Sequence, residues 1–231
     1  MLEYNPNKAL LSIHIPKTAG SSFRYILTNW FGEKLYLHYF NERDSKIPEK
    51  HILAPRICIH GHFNLKRGFG ITQYYPQAKQ FIAFLRDPFE ILISRYFYVK
   101  MREKVGVSFR NGKLISLPDN VNEFLLKEVS NPDYSPNILD YFPEVVSSHN
   151  YKDIIDKYFI MIGFLDYYQQ SVKCISNLLG FPAVDIPFKN KSERFDEINP
   201  FLKELFISEH KLEYETYKYA REKFLPIIKS C

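Results

Sequence analysis

Short apolar runs alternate with segments of helical spacing along this 231-residue chain. Residues 9–15 are apolar and end at Pro16, which predicts a strand. After a small polar loop at 16–22, apolar residues fall at Phe23, Ile26, Leu27, Trp30 and Phe31. That spacing predicts a helix, with Gly32 as its stop. Residues 56–59 and 80–85 read as two further strands, and 88–104 as a helix. The stretch 109–150 carries Asn111-Gly112 and four prolines, and it reads as loops with one short helix over 120–128. Residues 158–164 predict a fourth strand and 167–179 a helix stopped by Gly180. Two helices fill 198–228. Strands alternating with helices predict an α/β fold, a single domain over residues 1–231 with a central parallel sheet flanked by helices. Ligands of such sheets sit at the carboxyl ends of the strands.

Composition leaves this picture intact. Apolar residues make up 45% of the chain and charged residues 25%, so disorder and collagen-like repeats are excluded. Aromatic residues reach 16%, enough to fill a core easily. The net charge of +5 is too small to argue for nucleic-acid binding. An excess of equal size lies between Arg95 and Lys113, where six basic residues face the single acid Glu103. This segment reads as a solvated face or as a rim that attracts an anionic substrate. Cys58, Cys174 and Cys231 have no metal-ligand spacing, so free thiols in a reducing compartment are expected, and no metal. Neither a signal sequence nor a membrane-spanning run is present, which predicts a soluble cytoplasmic protein.

Chemistry gathers behind the predicted strands. In Pro16-Lys17-Thr18-Ala19-Gly20-Ser21-Ser22-Phe23, small and hydroxylated residues lead into a helix. Its first amides lack internal partners and carry the positive dipole end, and Lys17 adds a mobile charge. This is an anion cradle. It is not a Walker A loop, because Lys17 precedes the glycine. In Arg86-Asp87-Pro88, Asp87 can cap a helix that Pro88 opens, with Glu90 completing a capping box. Ser94 lies two turns on, near the Arg86 side, so a guanidinium and a hydroxyl can grip a second phosphate. His60-Gly61-His62 ends a strand, where residues two apart face the same way. An imidazole there suits general-base work.

Two anion cradles behind one sheet suit a ligand with two phosphate-like ends. Pro16 to Phe23 resembles the 5′-phosphosulfate loop of sulfotransferases that use 3′-phosphoadenosine 5′-phosphosulfate (PAPS). Arg86-Asp87-Pro88 with Ser94 resembles their 3′-phosphate site. Phe164-Leu165-Asp166, Leu178-Leu179-Gly180-Phe181, Asn190-Lys191-Ser192 and residues 211–220 are similar to the family's later blocks. His-Gly-His resembles the uronyl 2-O-sulfotransferases, a carbohydrate branch. The resemblance implies a layout like that of P-loop nucleotide kinases and no metal. It implies the 5′-phosphosulfate on Lys17, Thr18, Ala19, Gly20, Ser21 and Ser22, and the 3′-phosphate on Arg86, Ser94 and Lys191 or Ser192. His62 would be the base, with His60 orienting it or replacing it. Lys17 would stabilise the leaving phosphate, and adenosine 3′,5′-bisphosphate would be the product. The acceptor would be a hydroxyl compound such as a saccharide; oligomeric state is left open. Animal carbohydrate members carry an N-terminal anchor in the Golgi. Its lack here points to a soluble bacterial relative, with a Golgi location only if an anchor was removed. A small-molecule kinase and a non-catalytic module binding nucleotide or anionic polysaccharide are the alternatives.

Overall fold

The computed structural model describes residues 2–41, 44–104, 109–110, 113–114, 116–182, 184 and 197–231. In chain order its elements are β1 (Leu10–Ile13), α1 (Gly20–Phe31), β2 (Leu35–His38), β3 (Cys58–Gly61), α2 (Ile71–Tyr74), β4 (Phe81–Leu85) and α3 (Pro88–Lys104). Then follow β5 (Phe109–Arg110), β6 (Lys113–Leu114), α4 (Val121–Val129), α5 (Tyr151–Tyr158), β7 (Phe159–Phe164), α6 (Tyr168–Leu179), α7 (Pro200–Glu209) and α8 (Lys211–Ser230). Strands β2-β3-β1-β4-β7 pair in that order, all parallel, while β5 and β6 form a small antiparallel hairpin.

Every residue of β1, β3, β4 and β7 is buried. Both faces of a parallel sheet are covered, so its strands are continuous apolar runs, and that is why these four are legible in the sequence. Strand β2 was not expected. It is an edge strand, with Leu35 half-buried, Tyr36 and Leu37 exposed and only His38 buried, so it carries no such run. Helices α2 and α5 were also not expected. Tyr158, expected to open a strand, instead closes α5, whose Ile154 and Ile155 pack into the main core.

The helix signals perform as their chemistry dictates. Asp87 Oδ1 accepts the Glu90 amide at 3.2 Å, and Asn120 caps α4 through the amides of Asn122 and Glu123. Gly32 and Gly180 end α1 and α6 at φ 53° and 73°, where a side chain would be strained. A second apolar cluster, built from α3, α4, α7 and Tyr214 of α8, adjoins the sheet core. Helix α8 belongs to both clusters, since Tyr217, Ala220, Phe224 and Ile228 join the sheet core.

Tertiary packing corrects one expectation and qualifies another. Cys174 and Cys231 are disulfide-bonded across 57 residues, with Cα atoms 5.4 Å apart. The docking of α8 on α6 brings them together, which spacing along the chain cannot show, and the thiol argument for a reducing compartment lapses; Cys58 alone is free and buried. The basic excess at 95–113 is partly offset by acids from outside the segment: Arg95 pairs with Glu128 and Lys100 with Asp119, and Lys100 also meets Glu103 within it. Arg110 and Lys113 have side chains outside the described residues. Among the described residues no helix is long and apolar enough to cross a membrane.

Glu213 at the start of α8 is buried at 1% exposure. It accepts the Ile138 amide at 2.8 Å and the Tyr134 hydroxyl. Burial pushes its carboxyl up to about 8, well above the ordinary 4.5. The folded chain therefore holds this proton more tightly than the unfolded chain does. The resulting stability is full below the ordinary value and is lost as pH rises towards about 8. Glu213→Gln keeps an acceptor for Ile138 and removes the titration. Its melting temperature should fall less than that of the unaltered protein between about pH 6 and pH 9, measured by scanning calorimetry.

Candidate active site

The parallel register builds the site. Ile13 pairs with Gly61, and Gly61 with His38. One residue further, His14, His62 and Tyr39 therefore stand side by side at the carboxyl edge. Backbone bonds extend the ladder to them: the His14 amide donates to the Gly61 carbonyl at 2.8 Å, and the His62 amide to the His38 carbonyl at 2.9 Å. Ser12 and His60 lie one step below on the same side, joined through Nδ1 and Oγ at 2.9 Å.

The imidazoles form a stack. His14 lies between His62, at 4.3 Å between centroids, and His60, at 5.3 Å. Tyr39 meets His62 edge-on at 4.8 Å, and its hydroxyl is 2.8 Å from His14 Nδ1. His62 Nδ1 is 2.6 Å from the His14 carbonyl. A carbonyl only accepts, so Nδ1 carries the proton and Nε2 keeps its lone pair. Burial pushes His62 down to about 4 and His60 to about 3, so both rings are neutral at pH 7. His60 is 1% exposed and packs on Phe23 of α1, beneath the others. His62 is only partly buried.

The loop after β1 runs directly from this stack. Lys17 and Ala19 both take left-handed conformations, at φ 70° and 64°. Non-glycine residues there store strain, which clusters at functional sites. Thr18 is buried and donates its hydroxyl to the Ile15 carbonyl at 2.8 Å, so it staples the loop. Gly20 opens α1 against the His14 ring; an added Cβ would stand 1.8 Å from that ring. Ser21 is exposed and Ser22 nearly buried in the first turn.

Arg86, at the end of β4, reaches this loop. Its Nη1 donates to the Lys17 carbonyl at 3.4 Å, and its Nη2 pairs with Glu90 at 3.1 Å. The two sequence motifs therefore meet. Lys17 Nζ stands 4.0 Å over the Tyr98 ring of α3. Burial and the Arg86 charge push Lys17 down to about 8. Asp87 is held by Tyr214 Oη at 2.9 Å and Lys203 Nζ at 3.0 Å. A cavity of about 530 Å³ opens beside Arg86, lined also by Asp87, Glu90, Asp166, Tyr217 and Arg221. Ser94, nearly buried, lies four residues beyond Glu90 on the same face of α3. Lys191 and Ser192 lie outside the described residues. His14 and Tyr39 were not singled out from the sequence; only strand pairing reveals them. Among the described residues no cluster of side chains could hold a metal.

A family model described as "Sulfotransferase family" matches residues 2–220. The chain belongs to the sulfotransferase family. Its fold is similar to that of mouse sulfotransferase SULT7A1 complexed with PAP, with a TM-score of 0.52 and 15% identity over 94% of this chain and 91% of that one. No curated protein sequence matches the chain significantly. Within this sulfotransferase, Gly20→Ala forces the His14 ring aside. The variant should lose about 1–3 kcal/mol of stability in urea unfolding.

Proposed function

We propose that this sulfotransferase moves the sulfuryl group of PAPS to an acceptor hydroxyl, with His62 as general base. The observation that carries the reading is the contact of Arg86 with the Lys17 carbonyl. It makes the two anion cradles one continuous surface beside the imidazole stack. The PAP-bound state of the similar mouse structure supports the choice of nucleotide.

In this reading the 5′-phosphosulfate rests on Lys17 and the loop and helix amides of 18–22. The left-handed turns at Lys17 and Ala19 suit such a nest. Thr18 holds the loop shut, and Ser21 and Ser22 place hydroxyls in the first turn of α1. The 3′-phosphate takes the Arg86 guanidinium and the Ser94 hydroxyl. Lys191 and Ser192 are further candidates for it. The cavity beside Arg86 would house the nucleoside. His62 Nε2 removes the acceptor proton as the oxygen attacks sulfur. An O–S bond forms, and the bond from sulfur to the phosphate oxygen breaks. Its electron pair stays on that oxygen, where Lys17 and the amides stabilise it. The products are a sulfate ester and adenosine 3′,5′-bisphosphate, and the imidazolium returns its proton to water. His60 is too deeply buried to meet an acceptor and supports the stack from below. A saccharide or another alcohol is the acceptor.

Adenosine 3′,5′-bisphosphate should stabilise the protein where ATP and NAD do not. At a hundredfold excess over Kd the gain is about 2.7 kcal/mol, measured as a shift in thermal unfolding. Arg86→Ala should weaken that affinity at least tenfold. His62→Ala should bind the bisphosphate normally and lose transfer from PAPS by a factor of about 100 or more.

The charge of Lys17 adds a pH dependence. Its lowered value means the free protein loses this cation as pH rises through about 8. Bisphosphate affinity should then fall by up to about tenfold per pH unit, as one linked proton requires. Lys17→Arg should move that limb above about pH 10, since arginine stays charged. A flat affinity across pH 7 to about 9.5 in the unaltered protein would remove Lys17 from the site.

A further inference from the structure

The nucleotide cradles occupy the β1 and β4 ends of the carboxyl edge, and His62 stands at β3. On this reading of the site, the acceptor can approach only over the β2 and β3 ends. Two elements crowd that half: Phe40, just after β2, and the tight loop that follows His62. The loop is braced internally, with the Arg67 amide on Asn64 Oδ1 at 2.9 Å and the Phe69 amide on the Asn64 carbonyl at 2.9 Å. It is braced externally by the Leu65 amide on the Asp140 carbonyl at 2.8 Å.

This loop presents Arg67. The guanidinium lies 4.7 Å from the Phe40 centroid and 5.6 Å from that of Phe69. The two rings are themselves stacked at 5.5 Å. Other arginines at the site have acids: Arg86 has Glu90 and Arg221 has Asp166. Even the adjacent Lys66 is drawn to Asp133 and Asp140. Among the described residues no carboxylate pairs with Arg67, although the residue is exposed. Its charge is felt by His62 and by Tyr141, whose ring borders His62 at 6.1 Å. Arg24 of α1 adds a second cation beside His14 and Tyr39. The acceptor half of the site is thus aromatic and cationic.

We infer that Arg67, set over the Phe40–Phe69 pair near His62, is a specificity-determining residue that binds an anionic group of the acceptor. A guanidinium preset on an aromatic platform has lost little further freedom when it meets a carboxylate, sulfate or phosphate. A cation placed there also orients the substrate, so that its hydroxyl faces His62 Nε2. The acceptor class is then an acidic hydroxyl compound, not a neutral alcohol.

The test compares acceptor pairs that differ only in carboxylate against carboxamide: 4-nitrophenyl glucuronide with its amide, and a hydroxyaryl carboxylate with its amide. Transfer from PAPS is measured with the unaltered protein, Arg67→Ala and Arg67→Lys. The carboxylates should be preferred by about tenfold or more in kcat/KM, as a charge-assisted contact gives. In Arg67→Ala the ratio should fall towards one, and Arg67→Lys should keep part of it. Adenosine 3′,5′-bisphosphate affinity should be the same in all three. An equal preference for both members, or one that survives Arg67→Ala, overturns the inference. So does an equal loss on both members, which would place Arg67 on the sulfuryl group. If no pair is turned over, saturation-transfer NMR on the bisphosphate-loaded protein decides. Carboxylate contact that vanishes in Arg67→Ala supports the role, and its absence in the unaltered protein refutes it. Failure to bind the bisphosphate at all would instead strike the underlying reading of the nucleotide site.

Discussion

The site depends on the parallel register of β1 with β3 and β3 with β2. A one-residue slip in any of these pairs would turn one side chain of the row to the opposite face. In register, His14, His62 and Tyr39 share one edge, and the ladder bonds at 2.8 and 2.9 Å extend to His14 and His62. The imidazoles are therefore anchored by backbone rather than by a mobile loop. Gly61 is part of the same constraint. A Cβ there would stand 2.0 Å from the His38 carbonyl, so only glycine lets β2 close on β3 between the two histidines.

Positive charge surrounds this edge, with Arg86 paired to Glu90. Lys17, Arg24 and Arg67 each act on the charge of the stack, and Arg86 stands beside Lys17. Burial keeps the three imidazoles neutral, since adding charge among cations and apolar walls is costly. Neutral histidines and fixed cations make a site that can take a proton and hold negative charge together. A sulfuryl-transfer enzyme needs both at once.

Helix α8 is the second organiser. Its first turn buries Glu213 and sends Tyr214 to the carboxylate of Asp87, next to Arg86. Its middle supplies Tyr217 and Arg221 to the cavity, and its last residue is bonded to α6. One helix thereby ties Arg86, the cavity beside it and the sheet core into a single unit.

Much of this was legible from residues in order. Four strands declared themselves as apolar runs because both their faces are buried. The start of α3 was written in Asp87, Pro88 and Glu90. All of these are local: propensity, capping and burial act within a few positions. Tertiary structure alone decided the edge strand β2, the stack of His14 between His60 and His62, the contact of Arg86 with the Lys17 carbonyl and the Cys174–Cys231 bond. Each joins residues from different elements, and the chain pattern holds no term for distance across strands. The same reason hid the partners of Arg95 and Lys100, since Glu128 and Asp119 arrive from α4 and the loop before it. What a residue is can be read along the chain; what it faces is settled only when strands pair and helices dock.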